Sequence, residues 1–410
     1  MSSFFARIAA IALIVAALLI AVACQNPTGS SNNDSNSGGS SGDNGSAEPG
    51  ASLAADINPG GSSNPAQLTV YNGALYFSAN DGTSGTELWR YDGVSAGLVE
   101  EINPSGGSDP RFLTVYGNRL YFSAVYETSV LRGLFRYGET GVEQIDGVQA
   151  PGYLTPYAGS LYMYAREEAT GTELWRLNDS SAELAADINE GSANSDPQFL
   201  TVYNNNLYFQ ANDGVIGFEL FRFDGETAQP VYDIREGGNA FPQRLIVYNG
   251  QLYFRANDGS GIGLWRYNGS DPPVEVTTAE TPHNSDMIVY DEALYFAATL
   301  GPVSSSGNQL WRYDGSIVSQ VTFLGSDDPN HNGIAIPAQM AEYEGALYFA
   351  GDDGSGSGVE LYRYDGQTVE LAADINPAES SNPKNFAVYD GKLYFQADDG
   401  DSGAELWVYH

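Results

Sequence analysis

Among 410 residues, 52 acids against 17 bases leave a formal net charge of −35, a field that repels nucleic acid phosphates and excludes nucleic acid as a partner. The single cysteine, Cys24, excludes an internal disulfide framework, so the fold has to be held by packing. Length alone suggests two or three domains, but internal repetition takes precedence over that estimate.

Residues 1–23 read as a signal peptide. The apolar run "IAAIALIVAALLIAVA" at 8–23 follows Arg7 and is shorter than the roughly 20 residues of a bilayer-spanning helix. The stretch "AVAC" at 21–24 resembles the lipobox of bacterial lipoproteins, although Ala21 stands where leucine is usual. The resemblance implies a lipid on Cys24 that holds the chain to a membrane; an ordinary secretory signal and an uncleaved anchor are the alternatives. Gln25 in place of an aspartate after the cysteine favours the outer membrane of a bacterial envelope, on its surface or its periplasmic face. Residues 24–50 continue as "CQNPTGSSNNDSNSGGSSGDNGSAEPG", a composition that cannot bury a core and that reads as a flexible tether.

From residue 51 to 410 the chain repeats. The triplet "LYF", once "LYM", begins at Leu75, Leu120, Leu161, Leu207, Leu252, Leu294, Leu347 and Leu393, and these positions mark repeats 1 to 8. Most intervals are close to 45 residues, the period of a four-stranded propeller unit. One period reads "AQLTVY" (66–71), Asn72-Gly73, "ALYFSA" (74–79), a glycine-rich loop, "ELWRY" (87–91), a turn and "LVEEI" (98–102). Asn-Gly between two β-prone runs predicts a tight hairpin, since both residue types tolerate positive φ. No apolar period of 3.6 appears beyond residue 23, so the expected fold is all-β.

The predicted architecture is an eight-bladed β-propeller. Apolar residues occupy both faces of "ALYFSA" and "ELWRY", as they do in sheets covered on both sides. The chain opens on "LAADI" (53–57), the element that follows "ELWRY" elsewhere, and stops at "ELWVYH". The N-terminal strand is therefore expected to complete the last blade and close the ring. Two four-bladed rings or a seven-bladed ring are the alternatives.

With "ELWRYDG" at 87–93, "ELWRLND" at 173–179, "LWRYDG" at 310–315 and "ELYRYDG" at 360–366, together with "AADINPGGSSNP" at 54–65, residues 53–410 resemble the bacterial ELWxxDGT-repeat proteins. The resemblance implies a secreted or surface-attached propeller-like repeat protein without an assigned activity. The threonine after Asp-Gly is missing throughout.

Three series of residues carry candidate chemistry. The loop from Asn80-Asp81-Gly82 to Glu87 recurs from Asp213 to Glu219 and from Asp399 to Glu405, and its carboxylates are the kind of hard oxygen ligand that calcium takes. On this reading Asp81, Glu87, Asp213, Glu219, Asp399 and Glu405 are metal ligands. The alternative is a loop shaped by Asn, Asp and Gly with the glutamate facing water. Arg90, Arg136, Arg176, Arg222, Arg266, Arg312 and Arg363 form a second series, expected to bridge carboxylates or stack on tyrosines within their own repeats. His283, His331 and His410 lack metal-ligand spacing, and no nucleophile elbow, P-loop or dinucleotide fingerprint is present. Repeats 2, 3, 6 and 7 carry irregular loops, the usual carriers of binding function on a regular scaffold.

The expected function is therefore that of a non-catalytic scaffold binding a surface protein or glycan, with no catalytic residues assigned. A polysaccharide hydrolase or lyase and a structural surface-layer component are the alternatives.

Overall fold

The computed structural model describes residues 50–126, 131–178, 181–277, 286–298, 309–322 and 339–410. The signal sequence, Cys24, the tether, His283, His331 and most of the irregular loops of repeats 2, 6 and 7 lie outside the described residues. Among those described there is no helix, and the strands gather into six four-stranded antiparallel sheets and one of seven strands.

Repeat 1 shows the pattern. After β1 (Ala51–Ala55) come β2 (Ala66–Tyr71), β3 (Ala74–Asn80), β4 (Thr86–Tyr91) and β5 (Ala96–Glu100), paired in the order β2-β3-β4-β5. The first three of these strands match the sequence expectation to within a residue. The fourth begins two residues earlier than "LVEEI", because the turn after Tyr91 is tight: Asp92 Oδ1 accepts from the N–H groups of Val94 and Ser95 at 3.1 and 3.0 Å. Register pairs Phe77 with Trp89 and Tyr76 with Arg90. The aromatics of "LYF" therefore project alternately to the two faces of the sheet. Phe77, Phe122, Phe209, Phe254, Phe296, Phe349 and Phe395 have no exposed surface, and burying each such ring contributes about 2 kcal/mol.

The core lies between sheets. Leu75, Phe77 and Tyr91 of repeat 1 pack with Tyr389, Tyr394, Leu406 and Val408 of repeat 8, and equivalent clusters join repeats 4 and 5 and repeats 7 and 8. β1 pairs antiparallel with the last strand, Ala404–Tyr409, Ala51 facing Tyr409 and Leu53 facing Trp407. It thereby supplies the fourth strand of the last sheet, as the truncated final repeat required.

A second set of contacts joins the hairpins. The tyrosine that ends each first strand donates its hydroxyl proton to a carbonyl in the hairpin of the following repeat: Tyr71 to Asn118 (2.7 Å), Tyr116 to Gly159 (2.5 Å), Tyr157 to Asn205 (2.9 Å) and Tyr203 to Gly250 (3.0 Å). Tyr248, Tyr290 and Tyr343 continue the series to Glu292, Gly345 and Gly391. Tyr389 of repeat 8 donates to Gly73 of repeat 1 at 2.9 Å.

The seven-stranded sheet departs from the sequence expectation. Gly141–Tyr157 is one strand of 17 residues; its first half pairs with Gly133–Gly138 of repeat 2 and its second half with Ser160–Glu167 of repeat 3. The Asn/Gly/Ser/Pro-rich crossing found at 58–65 has no counterpart in "GVEQIDGVQAPGYLTPY", so the backbone stays extended from one repeat into the next.

Removal of residues 1–57 takes away β1 and leaves the edge of Ala404–Tyr409 unpaired. The shortened chain is expected to self-associate or aggregate in size-exclusion chromatography where the full chain stays discrete; an unchanged elution profile would contradict this role of β1.

Candidate functional site

The motif that dominates the sequence is a structural lock built from three parts. Asp81 closes the loop after β3, its Oδ1 accepting from the N–H groups of Thr83 (2.9 Å) and Ser84 (2.7 Å). Partial desolvation would raise its pKa, but these hydrogen bonds outweigh it and hold the carboxyl below the usual range. Asp213 and Asp399 make the same turn with Val215 and Ile216 and with Asp401 and Ser402. Gly85 is the second part: its φ is +77°, and a Cβ there would lie 2.5 Å from the backbone nitrogen of Gly107. Only glycine lets this loop pack against the segment that leaves the sheet's rim.

Glu87 is the third part, and it corrects the reading in which the glutamate faces water. It is 0% exposed. Its carboxylate accepts from the N–H groups of Ile102 (3.3 Å), Asn103 (3.4 Å) and Ser108 (3.0 Å) and from the hydroxyl of Ser108, all in the crossing from β5 to repeat 2. Glu405 holds Ile57 and Ser63 in the same way, Glu173 holds Ile188 and Ser195, and Glu360 holds Ile375 and Ser381. Glu219 holds Ile234 and Ala240 by their N–H groups at 3.0 and 3.1 Å, with alanine where the others have serine.

Within each of the three candidate calcium loops, then, the aspartate and the glutamate bond to different segments and share no donor. Among the described residues no group of three or more His, Cys, Asp or Glu is gathered for a metal. Six of the seven arginines in the series pair with carboxylates inside their repeats: Arg136 with Glu143 (2.8 Å), Arg176 with Glu183 (2.6 Å), Arg363 with Glu370 (2.7 Å), and Arg90, Arg222 and Arg312 with Asp92, Asp224 and Asp314, each at 3.5 Å.

A different column of the repeat carries unrepeated chemistry. Four residues before the tyrosine that ends each first strand stand Gln67, Phe112, Tyr153, Phe199, Arg244, Asp286, Gln339 and Asn385. Six of them, all but Asp286 and Gln339, have φ between +53° and +60°, a region that side-chain-bearing residues seldom occupy. The strand register skips there, for example between Ala66 and Thr69. This bulge frees one side chain per strand from the sheet.

These side chains touch their neighbours in sequence. Gln67 accepts from the Phe112 N–H at 2.9 Å. The rings of Phe112 and Tyr153 lie 5.2 Å apart and those of Tyr153 and Phe199 5.0 Å apart, all tilted. The Arg244 guanidinium sits 5.9 Å from the centre of the Phe199 ring and pairs with Asp286. Asn385 donates its N–H to Gln339 and its amide to the Pro65 carbonyl at 3.0 Å. A cavity of about 360 Å³ opens here, lined by Tyr153, Phe199, Arg244, Asp286, Met287 and Met340 among others. Desolvation raises the pKa of Asp286 and Arg244 opposes that shift.

No protein-family model matches the chain, and no curated protein sequence does. Among solved structures it is similar to a prolyl endopeptidase (12% identity, TM-score 0.52) and to a puromycin-hydrolyzing peptidase of Mycobacterium tuberculosis (10% identity, TM-score 0.51). The matches cover 83% and 85% of this chain and only 55% and 61% of those chains. The β-propeller domain of the Trilobed protease from Pyrococcus furiosus also matches, over 74% of this chain and 94% of its own, at 12% identity and a TM-score of 0.44. The domain is a β-propeller. Its blades are the four-stranded units described above, and at these identities the likeness speaks to fold alone.

Two predictions follow from the clamp. Burial raises the pKa of Glu173 and Glu219 from 4.5 to about 7, with their hydrogen bonds opposing the shift. A folded-state pKa above the unfolded one means the folded chain holds the proton more tightly, so the stability these groups contribute is complete below about pH 4.5 and is lost as pH rises through 7. Glu219→Gln is expected to flatten that part of the stability–pH curve in urea titrations; an unchanged slope would contradict the assignment. Ala240→Ser supplies the hydroxyl found in the other four clamps and should stabilise the fold by about 1 kcal/mol, read as a raised urea midpoint.

Proposed function

We propose that the chain is a lipid-anchored envelope protein whose eight-bladed ring binds a glycan without cleaving it, at the end of the axis that carries the Phe112–Tyr153–Phe199 crescent. The observation that carries the reading is the column of unrepeated side chains. The linking tyrosine recurs in all eight repeats, the arginine in seven and the clamp glutamate in five, whereas this column changes from amide to aromatic to cation to anion around the axis.

Eight blades in one ring are supported by the eight tyrosine hydroxyls that link each hairpin to the next, the last to the first, and by the pairing of β1 with the final strand. The long strand Gly141–Tyr157 then serves two blades, which accounts for seven sheets. The first strands lie innermost, and Val70, Val115, Val202, Val247, Val289 and Val388, each one residue before the linking tyrosine, keep more than a third of their surface exposed, as residues facing an open channel do.

Adjoining aromatic rings beside amide and charged side chains suit a ligand with apolar faces and many hydroxyls, the description of a sugar chain. Hydrolysis of a glycosidic bond calls for two carboxyl groups placed across it; Asp286 is the one carboxylate among the described residues lining the cavity, and it is paired with Arg244. The "AVAC" sequence and the tether support attachment at Cys24, with the propeller held away from the membrane. No helix among the described residues is long and apolar enough to cross one.

Titration calorimetry of the full chain against a panel of bacterial and plant polysaccharides tests the reading, with a reducing-end assay run in parallel. Binding without new reducing ends, weakened at least tenfold by Tyr153→Ala or Phe199→Ala, is the expected result. New reducing ends, or binding indifferent to both substitutions, would overturn it. In cells, Cys24→Ser should move the protein from the membrane fraction to the soluble one.

A further inference from the structure

The cavity of about 360 Å³ at the crescent has two walls of different character. Repeats 3 and 4 contribute the rings of Tyr153 and Phe199, and repeats 5 to 7 contribute the aliphatic and thioether side chains of Ile246, Met287, Ile288 and Met340. These four pack against the clusters that join repeats 5 to 6 and 6 to 7, but none of them is fully buried. Part of each therefore faces the cavity as apolar surface.

Repeats 5 and 6 alone hold charge in the unrepeated column, and the two charges, Arg244 and Asp286, meet in this cavity. Arg244 Nη1 donates to Asp286 Oδ1, while 30% and 37% of the two side-chain surfaces stay exposed. Among the described residues this is the carboxylate's one hydrogen bond, which leaves Oδ2 to accept another and Arg244 Nη2 to donate one. The Arg244 Nε is buried without a partner, and the guanidinium lies 5.9 Å from the centre of the Phe199 ring. The paired charges cancel, so the site favours a neutral group over an anion or a cation. An acceptor beside a donor is the complement of an amide, its N–H directed to Asp286 and its carbonyl to Arg244. A sugar hydroxyl also answers the pair, but it has no counterpart to the apolar wall, where a second hydroxyl would lose its hydrogen bonds to water. An acetamido group instead turns a methyl toward Met287 and Met340, whose flexible side chains adapt to it. The apolar face of the same sugar ring suits the aromatic wall.

We infer that this cavity seats the acetamido group of an N-acetylated amino sugar, so that the bound glycan contains N-acetylhexosamine. This rests on the glycan reading above and adds the identity of the sugar to it. Asp286 and Met340 then become the residues that set specificity, one through the amide N–H and the other through the methyl group.

The test uses the full chain and N-acetylhexosamine oligosaccharides of several linkages, the same oligosaccharides after N-deacetylation, and counterparts with a hydroxyl in place of the acetamido group. At least one acetylated oligosaccharide is expected to bind tenfold or more tightly than both of its counterparts. Asp286→Asn keeps an oxygen for Arg244 and turns a donor toward the ligand N–H, so it should reduce that preference about tenfold while leaving the affinity for the hydroxyl form unchanged. Met340→Thr, which leaves the charged pair intact, should reduce it about threefold and keeps the test valid where the Asp286 variant fails to fold. Equal affinity for the acetylated and hydroxyl forms, tighter binding of the deacetylated form, or a preference that survives both substitutions would overturn the acetamido site and leave the glycan reading standing. So would failure of every acetylated oligosaccharide where another polysaccharide binds. Failure of every saccharide to bind would overturn both.

Discussion

In five repeats a glutamate carboxylate with almost no access to water takes its hydrogen bonds from the segment that carries the chain from one blade's rim to the start of the next. Glu87, Glu173, Glu219, Glu360 and Glu405 are each 0% exposed. Burying a carboxylate is costly, and it is tolerated here because two or more backbone N–H groups converge on the oxygens. Those N–H groups belong to a stretch with no ladder of its own, so they too would be orphaned without the glutamate. Each group satisfies the other, and the crossing is fixed at two points, one near the rim at an isoleucine such as Ile57 and one near the axis at a residue such as Ser63.

From that fixation the remaining geometry follows. The crossing lies against the loop between the second and third strands, which is why Gly85, Gly217 and Gly403 have no room for a side chain. It delivers the chain to the axis through a left-handed residue, a proline and a second left-handed residue, as in Asn64-Pro65 to Gln67. The second left-handed residue is the one whose side chain leaves the sheet. Phe112 and Phe199 are thus set in place by the buried carboxylates of Glu87 and Glu173, while Tyr153, between them, lies on the long strand Gly141–Tyr157 that needs no clamp.

The strands were legible because their signals are local. "AQLTVY", Asn72-Gly73 and "ELWRY" declare strand, hairpin and strand without reference to the rest of the molecule, and the truncated last repeat declared its need for β1. The glutamate clamp was not legible, because an acid flanked by glycine and threonine in a loop looks like a solvated residue. Its partners, Ile102 and Ser108, are 15 and 21 residues away, and nothing in the spacing says that their N–H groups are turned toward it. The site was hidden for the opposite reason. Reading a repeat protein draws attention to what recurs, and the column from Gln67 to Asn385 is conspicuous only for failing to recur. A signal was present: aligned on the linking tyrosine, the repeats share one position, two residues after a proline in seven of them, that holds amide, aromatic, cation and anion in turn.

Repeats 2, 5 and 6 have Gly133, Gly263 and Gln309 where the others have glutamate, and other side chains take up the task. In repeat 2, Arg132 reaches Asp109 of the crossing at 3.1 Å and Ser123 at 3.0 Å. In repeat 6, Thr322 donates to Gln309 at 2.8 Å. In repeat 5, the space beside Gly263 is taken by the Glu275 carboxylate and the Thr277 carbonyl. Glu219, the clamp whose crossing carries Arg235 and Phe241, is the one that works without a serine hydroxyl, since Ala240 stands there and lines, with those two residues, a cavity of about 460 Å³. A serine at that position would fix the crossing more firmly, while alanine keeps a hydroxyl out of the cavity wall. The clamp is thus one hydrogen bond weaker at the crossing that carries Arg235 and Phe241 than at the four crossings that keep the serine.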